Sequence, residues 1–218
     1  KNTLFNNFSN IILGDFGDDD LTGYEGADYI YGGFGDDVIQ GDDGIDHLYG
    51  EYGDDWILGG YGNDWIYGGD GNDRIYGQDG DDHIWGDTKT ENGEDLIYGG
   101  NGNDYISGGN GDDTIFGCEG NDQIDGGAGS DTINGGSGND TLFGRGSCDI
   151  IYGDSGNDKI YGGISSDELY GGEGNDVIYG EAGNDTIYGN EGNDKFYFKP
   201  GDDNDTIIEY QGANVLCF

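Results

Sequence analysis

The chain has 218 residues, and its 47 acidic residues against 7 basic ones give a net charge of −40. A chain this acidic offers no basic surface to nucleic acid and is repelled by anionic lipid, and no apolar run approaches the roughly 20 residues that a membrane-spanning helix requires. Its 50 glycines and many acids are typical of a disordered chain, but the regular order of its residues contradicts that interpretation.

The first segment, residues 1–13, is a degenerate copy of the nine-residue unit that fills most of the chain. The complete unit reads Gly-Gly-x-Gly-(Asn/Asp)-Asp-x-Ile-Tyr and is clearest in residues 59–67 and in the copy after them. Residues 5–13 fit the same frame, with Asn10 at the sixth position and Ile12 facing inward. We expect this segment to form a cap or a docking strand.

Twenty copies of the unit follow one another over residues 14–197. The last three positions, with side chains out, in and out, predict a short strand, and the first six, rich in Gly, Asn and Asp, predict a turn. Two units therefore make one flattened coil of a stacked repeat architecture. The sixth position is aspartate in every copy, namely Asp19, Asp28, Asp37, Asp46, Asp55, Asp64, Asp73, Asp82, Asp95, Asp104, Asp113, Asp122, Asp131, Asp140, Asp149, Asp158, Asp167, Asp176, Asp185 and Asp194.

Two irregularities interrupt this pattern. Four residues are inserted at 88–91, and we expect them to bulge out as a loop. The fourth position, normally glycine, is serine at Ser147 and Ser165, in repeats that are two apart and so stack on the same edge.

The last segment, residues 198–218, is a degenerate repeat followed by an apolar tail. Residues 200–208 fit the frame after a two-residue offset, with Asp205 at the sixth position, and residues 215–218 are apolar. Because the chain starts at Lys1 and contains no Met, we expect a mature product or a fragment of a longer protein.

The repeat resembles the signature of the repeats-in-toxin (RTX) family, Gly-Gly-x-Gly-x-Asp-x-(large apolar)-x, over residues 14–197. The resemblance implies an all-β fold, the right-handed parallel β-roll solenoid with two nine-residue repeats, hence 18 residues, per coil. We expect about ten coils, a rod roughly 48 Å long, and a calcium ladder on each of its two edges.

The resemblance also implies how calcium is held between successive turns of one edge. One turn supplies the carbonyl oxygens of positions two and four and its aspartate, and the next supplies the carbonyls of positions one and three and its own aspartate. One such set is Gly60, Gly62, Asp64, Gly77, Asp79 and Asp82. The twenty repeats give ten turns and nine gaps on each edge, so the two edges hold about 18 Ca²⁺ in a six-oxygen scheme, and Asp205 is a further predicted ligand. Unneutralised carboxylates would stack every ~5 Å, so folding should depend on the metal.

No catalytic site is predicted, because the chain contains neither His-Glu-x-x-His nor Gly-x-Ser-x-Gly. His47 and His83 both fall at the outward seventh position, two coils apart on one sheet. We interpret them as exposed strand residues rather than as a zinc pair, and we predict that the protein is not an enzyme.

Aromatic residues at the ninth position predict a stripe along each sheet. The alternatives are an in-register ladder that stabilises the sheet and a sticky face for lateral packing, a glycan or a surface. The residues are Tyr31, Tyr49, Tyr67, Trp85, Phe143, Tyr161, Tyr179 and Tyr197 on one sheet and Tyr152, Tyr170 and Tyr188 on the other. Cys118 and Cys148 fall on opposite edges, too far apart for a disulfide, and Cys217 is the cysteine that could reach another chain.

Two functions remain open. In the first, the chain is a secreted bacterial structural protein that stacks head to tail into an extracellular filament or matrix, since a solenoid has open ends and contacts between unlike ends do not close. In the second, it is the calcium-triggered folding and export module of a larger toxin, enzyme or adhesin. Apolar residues near both termini favour the filament, and we expect a homo-oligomer without nucleic acid and without membrane insertion.

Overall fold

The computed structural model describes residues 8–87, 92–199, 202–208 and 212–218, and all of its regular secondary structure within these ranges is β-strand. No helix in this part of the chain has the length and apolar character needed to cross a bilayer. The strands alternate between two parallel sheets, so that each interior strand pairs with the strands two before and two after it.

Among the described residues, the first sheet has twelve strands, which bear odd numbers. They are β1 (Ile11–Leu13), β3 (Tyr29–Phe34), β5 (His47–Tyr52), β7 (Trp65–Asp70), β9 (His83–Asp87), β11 (Tyr105–Asn110), β13 (Gln123–Ala128), β15 (Thr141–Gly146), β17 (Lys159–Ile164), β19 (Val177–Ala182), β21 (Lys195–Tyr197) and β23 (Val215–Cys217).

In the same part of the chain, the second sheet has eleven strands, which bear even numbers. They are β2 (Asp20–Glu25), β4 (Val38–Asp43), β6 (Trp56–Tyr61), β8 (Arg74–Asp79), β10 (Leu96–Asn101), β12 (Thr114–Glu119), β14 (Thr132–Ser137), β16 (Ile150–Ser155), β18 (Glu168–Glu173), β20 (Thr186–Glu191) and β22 (Thr206–Ile208).

The predicted parallel β-roll is confirmed. Ile30 pairs with Leu48, and Leu48 with Ile66, so the register advances by 18 residues per coil. The solenoid has about eleven coils rather than the ten predicted, because the degenerate segments at both ends add strands β1, β22 and β23 to the sheets.

Most strands are six residues long, twice the predicted length. In β7, for example, the strand continues through Gly68 and Gly69 to Asp70. The reason is that ladder bonds need only backbone groups, so the stacked glycines of successive coils pair as the apolar residues do. Gly69 pairs with Glu51 in this way, even though its φ of 124° bends the chain toward the turn.

The core is a single column of residues between the two sheets. The eighth residue of each repeat is buried, from Leu21 at 6% exposure to Ile30 and Phe196 at 0%. Each such side chain contributes about 1.5–3 kcal/mol by leaving water, so one apolar residue per repeat suffices only because many repeats are stacked. Ile12 joins the same cluster, so it lies at the inward position predicted for it.

The sheets continue in register across the interruptions of the repeat, although β9 pairs with β11 only from His83 to Trp85. Arg74 pairs with Leu96, 22 residues later, because four residues are inserted between them. The loop predicted for residues 88–91 lies outside the described residues. At the other end, Lys195 pairs with Val215, which confirms the two-residue offset and places the apolar tail in a strand.

The three cysteines are free thiols. Cys118 and Cys217 are half-buried and Cys148 is exposed. Burial raises the pKa of the Cys118 thiol, and the nearby carboxylates of Asp122 and Asp104 push this pKa in the same direction. Its reactivity as a thiolate is therefore reduced.

Candidate metal centre

Each edge of the solenoid carries one column of sixth-position residues that touch from coil to coil. The column on the first edge is Asn10, Asp28, Asp46, Asp64, Asp82, Asp104, Asp122, Asp140, Asp158, Asp176, Asp194 and Asn214. The column on the second edge is Asp19, Asp37, Asp55, Asp73, Asp95, Asp113, Asp131, Asp149, Asp167, Asp185 and Asp205.

One oxygen of each aspartate joins neighbouring coils. Oδ1 of Asp64 accepts the backbone N–H of Asp46 at 2.8 Å, and Asp64 in turn donates its own N–H to Oδ1 of Asp82 at 2.8 Å. The column crosses the insertion without a break, since the Asp73 N–H reaches Asp95 at 2.8 Å. This oxygen therefore fixes the turns relative to one another.

The second oxygen, Oδ2, is buried and has no hydrogen-bond partner. Among the described residues this holds for nineteen sixth-position aspartates, from Asp28 to Asp194. These residues are also nearly inaccessible, with at most 3% exposure at Asp167. Burying a carboxylate without a partner is strongly unfavourable, so nineteen of them require a counter-charge in the same place.

Backbone oxygens line the gap into which Oδ2 points. Beside Gly59, the position that a Cβ would take lies 2.6 Å from the carbonyl oxygen of Gly77 and 2.7 Å from Oδ2 of Asp64. A Cβ on Gly80 would collide with the carbonyl oxygen of Gly62, so that carbonyl faces the next coil. Glycine is needed here because any side chain would enter the space that these oxygens face.

The carbonyl oxygens at positions two and three of the predicted ligand set also face the neighbouring coil. The carbonyl at position two faces the next coil, since a Cβ on Gly60 would collide with the oxygen of Asp42 one coil earlier. The carbonyl of Asp79, at position three, accepts the N–H of Gly62 at 2.8 Å. A carbonyl has two lone pairs, so this hydrogen bond leaves one free for a cation.

The charges in the column perturb one another. Burial raises the pKa of the Asp64 carboxyl to about 8; the hydrogen bond from the Asp46 N–H opposes this rise in pKa, and the charges of Asp82 and Asp46 add to it. Burial likewise raises the pKa of Asp95 and of Asp113 to about 8. Without a cation, these groups would therefore hold protons at neutral pH.

The donor set fits a hard cation of the size of calcium. Within the described part of the chain, no three Asp, Glu, His or Cys side chains converge as a metal-binding group. A cation between two turns would thus take two carboxylates and would depend on carbonyl oxygens for the rest. An all-oxygen set built from carboxylates and carbonyls on glycine turns suits Ca²⁺ and does not suit Zn²⁺, which prefers nitrogen and sulfur.

The predicted site residues come together as one set on each edge, although their roles as ligands stay a prediction. Asp19 and Asp205 end the second column: Oδ2 of Asp19 accepts the Asp15 N–H at 3.1 Å, and Oδ1 of Asp205 accepts the Asp185 N–H at 3.1 Å. The twenty-first predicted ligand, Asp205, therefore occupies the sixth position of its coil as expected.

Two residues of the site were missed. Asn214 is the sixth-position residue of a further degenerate repeat, in which Gly212 and Leu216 fill positions four and eight, a pattern visible in the sequence. Asp87, at position two before the insertion, accepts the N–H groups of Gly93 at 2.9 Å and of Asn110 at 3.2 Å. Its carboxylate takes over a bond that the regular repeats make to a backbone carbonyl.

The two serines at position four adopt left-handed backbone conformations. The φ angles are 68° at Ser147 and 86° at Ser165, whereas glycines at this position on the same edge have 141° at Gly129 and 152° at Gly183. A serine side chain restricts φ to the small left-handed region. The position-four carbonyls of Ser147 and Ser165 therefore point in a different direction from those of the glycines at this position.

The ninth-position aromatic residues form the predicted ladder. Tyr31 and Tyr49 stack with ring centroids 4.7 Å apart and planes 4° from parallel, and Tyr49 and Tyr67 stack at 5.0 Å and 2°. Their faces cover one another, and ring edges face outward. The two histidines also stack, since the rings of His47 and His83 lie 6.0 and 4.5 Å from that of Trp65, which separates them.

A scan against protein families matches the chain to the RTX calcium-binding nonapeptide repeat. The matches cover residues 6–39, 31–60, 40–73, 58–88, 90–124, 119–147, 148–178, 161–196 and 170–207. No protein with a curated description matches the chain. Such repeats bind calcium, form a structural fold that is not typically catalytic, and are typical of secreted bacterial proteins. With nearly the whole chain matched and a parallel β-solenoid observed, the chain belongs to the family of proteins built from RTX calcium-binding nonapeptide repeats.

Proposed function

We propose that the chain is a secreted, calcium-binding structural protein without catalytic activity, that calcium is required for its folding, and that it assembles end to end. The observation that carries this proposal is the set of nineteen buried Oδ2 atoms without hydrogen-bond partners, most of which lie beside a carbonyl oxygen of the next coil. These atoms supply the negative charge and the oxygen ligands that a divalent cation requires.

One calcium ion per gap is the simplest stoichiometry. In the gap after Asp64, we assign as ligands Oδ2 of Asp64, Oδ1 of Asp82 and the carbonyl oxygens of the two turns. Each interior aspartate would then bridge two ions. Nineteen such Oδ2 atoms agree with the roughly 18 ions that follow from the six-oxygen scheme.

Charge links this binding to folding. A net charge of −40 opposes compaction, and the two aspartate columns add to this repulsion because they place carboxylates on successive coils next to one another. About 18 divalent ions would supply roughly +36 and remove most of this repulsion. Since the gaps exist only when coils are stacked, the free energy of binding adds to that of folding.

The direct test is a titration of metal-free protein with calcium, followed by circular dichroism and by native mass spectrometry. We expect a disordered spectrum in chelator, a β-rich spectrum at millimolar calcium, and about one bound ion per gap. Magnesium at the same concentration is the control, because it requires a smaller octahedral site and keeps its water ligands. At pH 8, a chain that stays β-rich in excess chelator, or that folds equally well in magnesium, would contradict the proposal.

End-to-end assembly is supported by apolar surface at the two ends of the described solenoid. In β1, the side chains of Ile11 and Leu13 are 74% and 61% exposed. In β23, Leu216 occupies the inward position of the core column and is 52% exposed, while Phe218 is 96% exposed. Strand addition between unlike ends would bury these residues and pair the open edges. The alternative, a folding and export module of a larger protein, predicts monomers.

Contact with a surface would use the edges of the tyrosine rings rather than their faces. The ring faces of the tyrosine ladder are covered by neighbouring rings, so a sugar could not stack on them as it does on an isolated aromatic side chain. Outward ring edges and hydroxyl groups remain available for lateral packing. Phe34 and Tyr52, 48% and 49% exposed, extend this aromatic surface beside β3 and β5.

A further inference from the structure

Asparagine replaces aspartate at two positions of the first edge, Asn10 and Asn214, and the two amides are bonded differently. Asn214 uses Oδ1 to accept the N–H of Asp194 at 2.7 Å, as an aspartate would. Asn10, in contrast, donates from its side chain into the gap that separates it from Asp28. The difference decides which gap can hold a cation.

The amide group of Asn10 bridges two oxygen atoms. Its Nδ2 donates to Oδ1 of Asp28 at 2.8 Å and to the carbonyl oxygen of Phe8 at 2.6 Å. Its backbone N–H also donates to Oδ1 of Asp28, at 2.6 Å. Because both neighbours of the side-chain amide accept hydrogen bonds only, its nitrogen and not its oxygen must face them.

The two bridged oxygens correspond to ligands of the proposed calcium sites. Phe8 stands at position four of its repeat, as Gly62 does in the regular repeat, and Asp28 stands where Asp82 does. At Asn10 the third ligand, the Oδ2 oxygen of the earlier aspartate, is replaced by an NH₂ group. Three of six oxygens are thus absent or engaged, and the amide protons lie where a cation would make its bonds.

We propose that Asn10 ends the calcium ladder of the first edge, its neutral amide taking the place of an ion between residues 8–10 and Asp28. This inference rests on the proposed calcium ligation. It follows that the ion in each gap is governed by the sixth-position residue of the earlier coil. The gap after Asp194 keeps its ion, since Oδ2 of Asp194 is buried there without a hydrogen-bond partner.

The test compares bound calcium in the full chain and in matched variants by native mass spectrometry of the monomer at saturating calcium. Asn10→Asp should bind one more ion than the wild type, because it restores Oδ2 and removes the donor. Asn214→Asp, the same change in the same column, should leave the count unchanged. Asp64→Asn should lose at least one ion.

The outcomes separate the two claims. A wild-type chain and an Asp64→Asn variant that bind no calcium would overturn the proposed function itself. A wild type that binds calcium while Asn10→Asp binds the same number of ions would overturn the role of Asn10 alone. An extra ion in Asn214→Asp would overturn the rule that the earlier coil governs each gap.

A second measurement needs no variant. In the calcium-loaded wild type, the side-chain NH₂ protons of Asn10 should exchange slowly with solvent, since both are donated in hydrogen bonds, one to the Phe8 carbonyl oxygen and one to Oδ1 of Asp28. Those of Asn139, which donates at 3.0 Å on the exposed surface, are the comparison. If Asn10 instead coordinated calcium through Oδ1, its NH₂ protons would exchange as fast as those of an exposed amide, and the inference would fail.

Discussion

Asp64 donates its backbone N–H to Oδ1 of Asp82 over 2.8 Å, while Oδ2 of Asp82 remains buried without a hydrogen-bond partner. The same carboxylate therefore joins two coils and presents charge to the next gap. Oδ1 of Asp82 joins the two coils and is also an assigned ligand of the gap between them, whereas Oδ2 of Asp82 contributes only to the next gap, so a substitution that changes Oδ2 alone tests metal binding without removing the bond between coils.

The first prediction concerns Asp64→Asn. The amide keeps an oxygen to accept the N–H of Asp46 but replaces Oδ2 with a donor, as Asn10 does. We expect a loss of about 3–5 kcal/mol of folding free energy in calcium, the usual consequence of leaving a buried charge uncompensated. Unfolding in the presence of calcium, monitored by circular dichroism, measures this difference in folding free energy. Asp43→Asn makes the same change at an exposed side chain and should have little effect; equal losses in both variants would exclude a specific role for the column.

The second prediction concerns pH in the absence of calcium. The folded-state pKa of Asp64 is raised from 3.8 to about 8 by burial, so the folded chain binds protons more tightly than the unfolded chain. Its contribution to stability is then fully present below pH 3.8 and is lost as the pH rises through about 8. In calcium-free buffer, β-structure should be greater at pH 5 than at pH 8, by far-ultraviolet circular dichroism. At limiting calcium, β-structure should instead be greater at pH 8 than at pH 5, because protons compete with calcium for the same oxygens. Equal spectra at both pH values without calcium would contradict the prediction.

Much of this architecture is predictable from the sequence, because a strict nine-residue period fixes which residue faces inward. Ile30 and Ile66 occupy the core for that reason, and Asp64 and Asp82 face one another because their turns stack. The strand length is not predictable from side-chain alternation, since Gly68 and Gly69 pair through the backbone alone.

The role of Asn10 also could not be predicted, because the direction of its amide depends on which neighbours accept hydrogen bonds. Only the fold brings Oδ1 of Asp28 and the carbonyl of Phe8 to the same nitrogen. Asn214 is a different case. Its repeat can be recognised in the sequence, but only when the two-residue offset before it is taken into account.

The third prediction concerns the turns of Ser147 and Ser165. Their φ angles of 68° and 86° hold the position-four carbonyls differently from glycine, so the ion between Asp149 and Asp167 should bind most weakly on its edge. A crystal structure at limiting calcium should show lower occupancy there than between Asp64 and Asp82. Replacing both serines with glycine should restore the occupancy, and equal occupancy in the unchanged chain would refute this account.

The fourth prediction concerns the tyrosine ladder. Tyr49 stacks on Tyr31 and on Tyr67, and each aromatic pair is worth about 0.5–1.5 kcal/mol beyond area burial. Tyr49→Ala should therefore lower the free energy of unfolding in calcium by about 1–3 kcal/mol. Tyr61→Ala, at a side chain that is 66% exposed, serves as the control. If the two substitutions have the same effect, the ladder does not stabilise the sheet.

The fifth prediction concerns assembly. Ile11→Lys combined with Leu13→Lys places charge on exposed side chains of β1 and leaves the inward Ile12 unchanged, so the coil should still form. Because burial of these apolar residues against β23 of a neighbour is what would join the chains, the double variant should stay monomeric in calcium at concentrations where the wild type forms filaments. Electron microscopy and sedimentation velocity measure the assembly.

Ile164→Lys is the matched control, since Ile164 is 61% exposed in the middle of the solenoid and its substitution should not affect end-to-end contacts. Wild-type protein that remains monomeric at high concentration in calcium would favour the export-module alternative, and filaments that persist in the double variant would place the contact elsewhere.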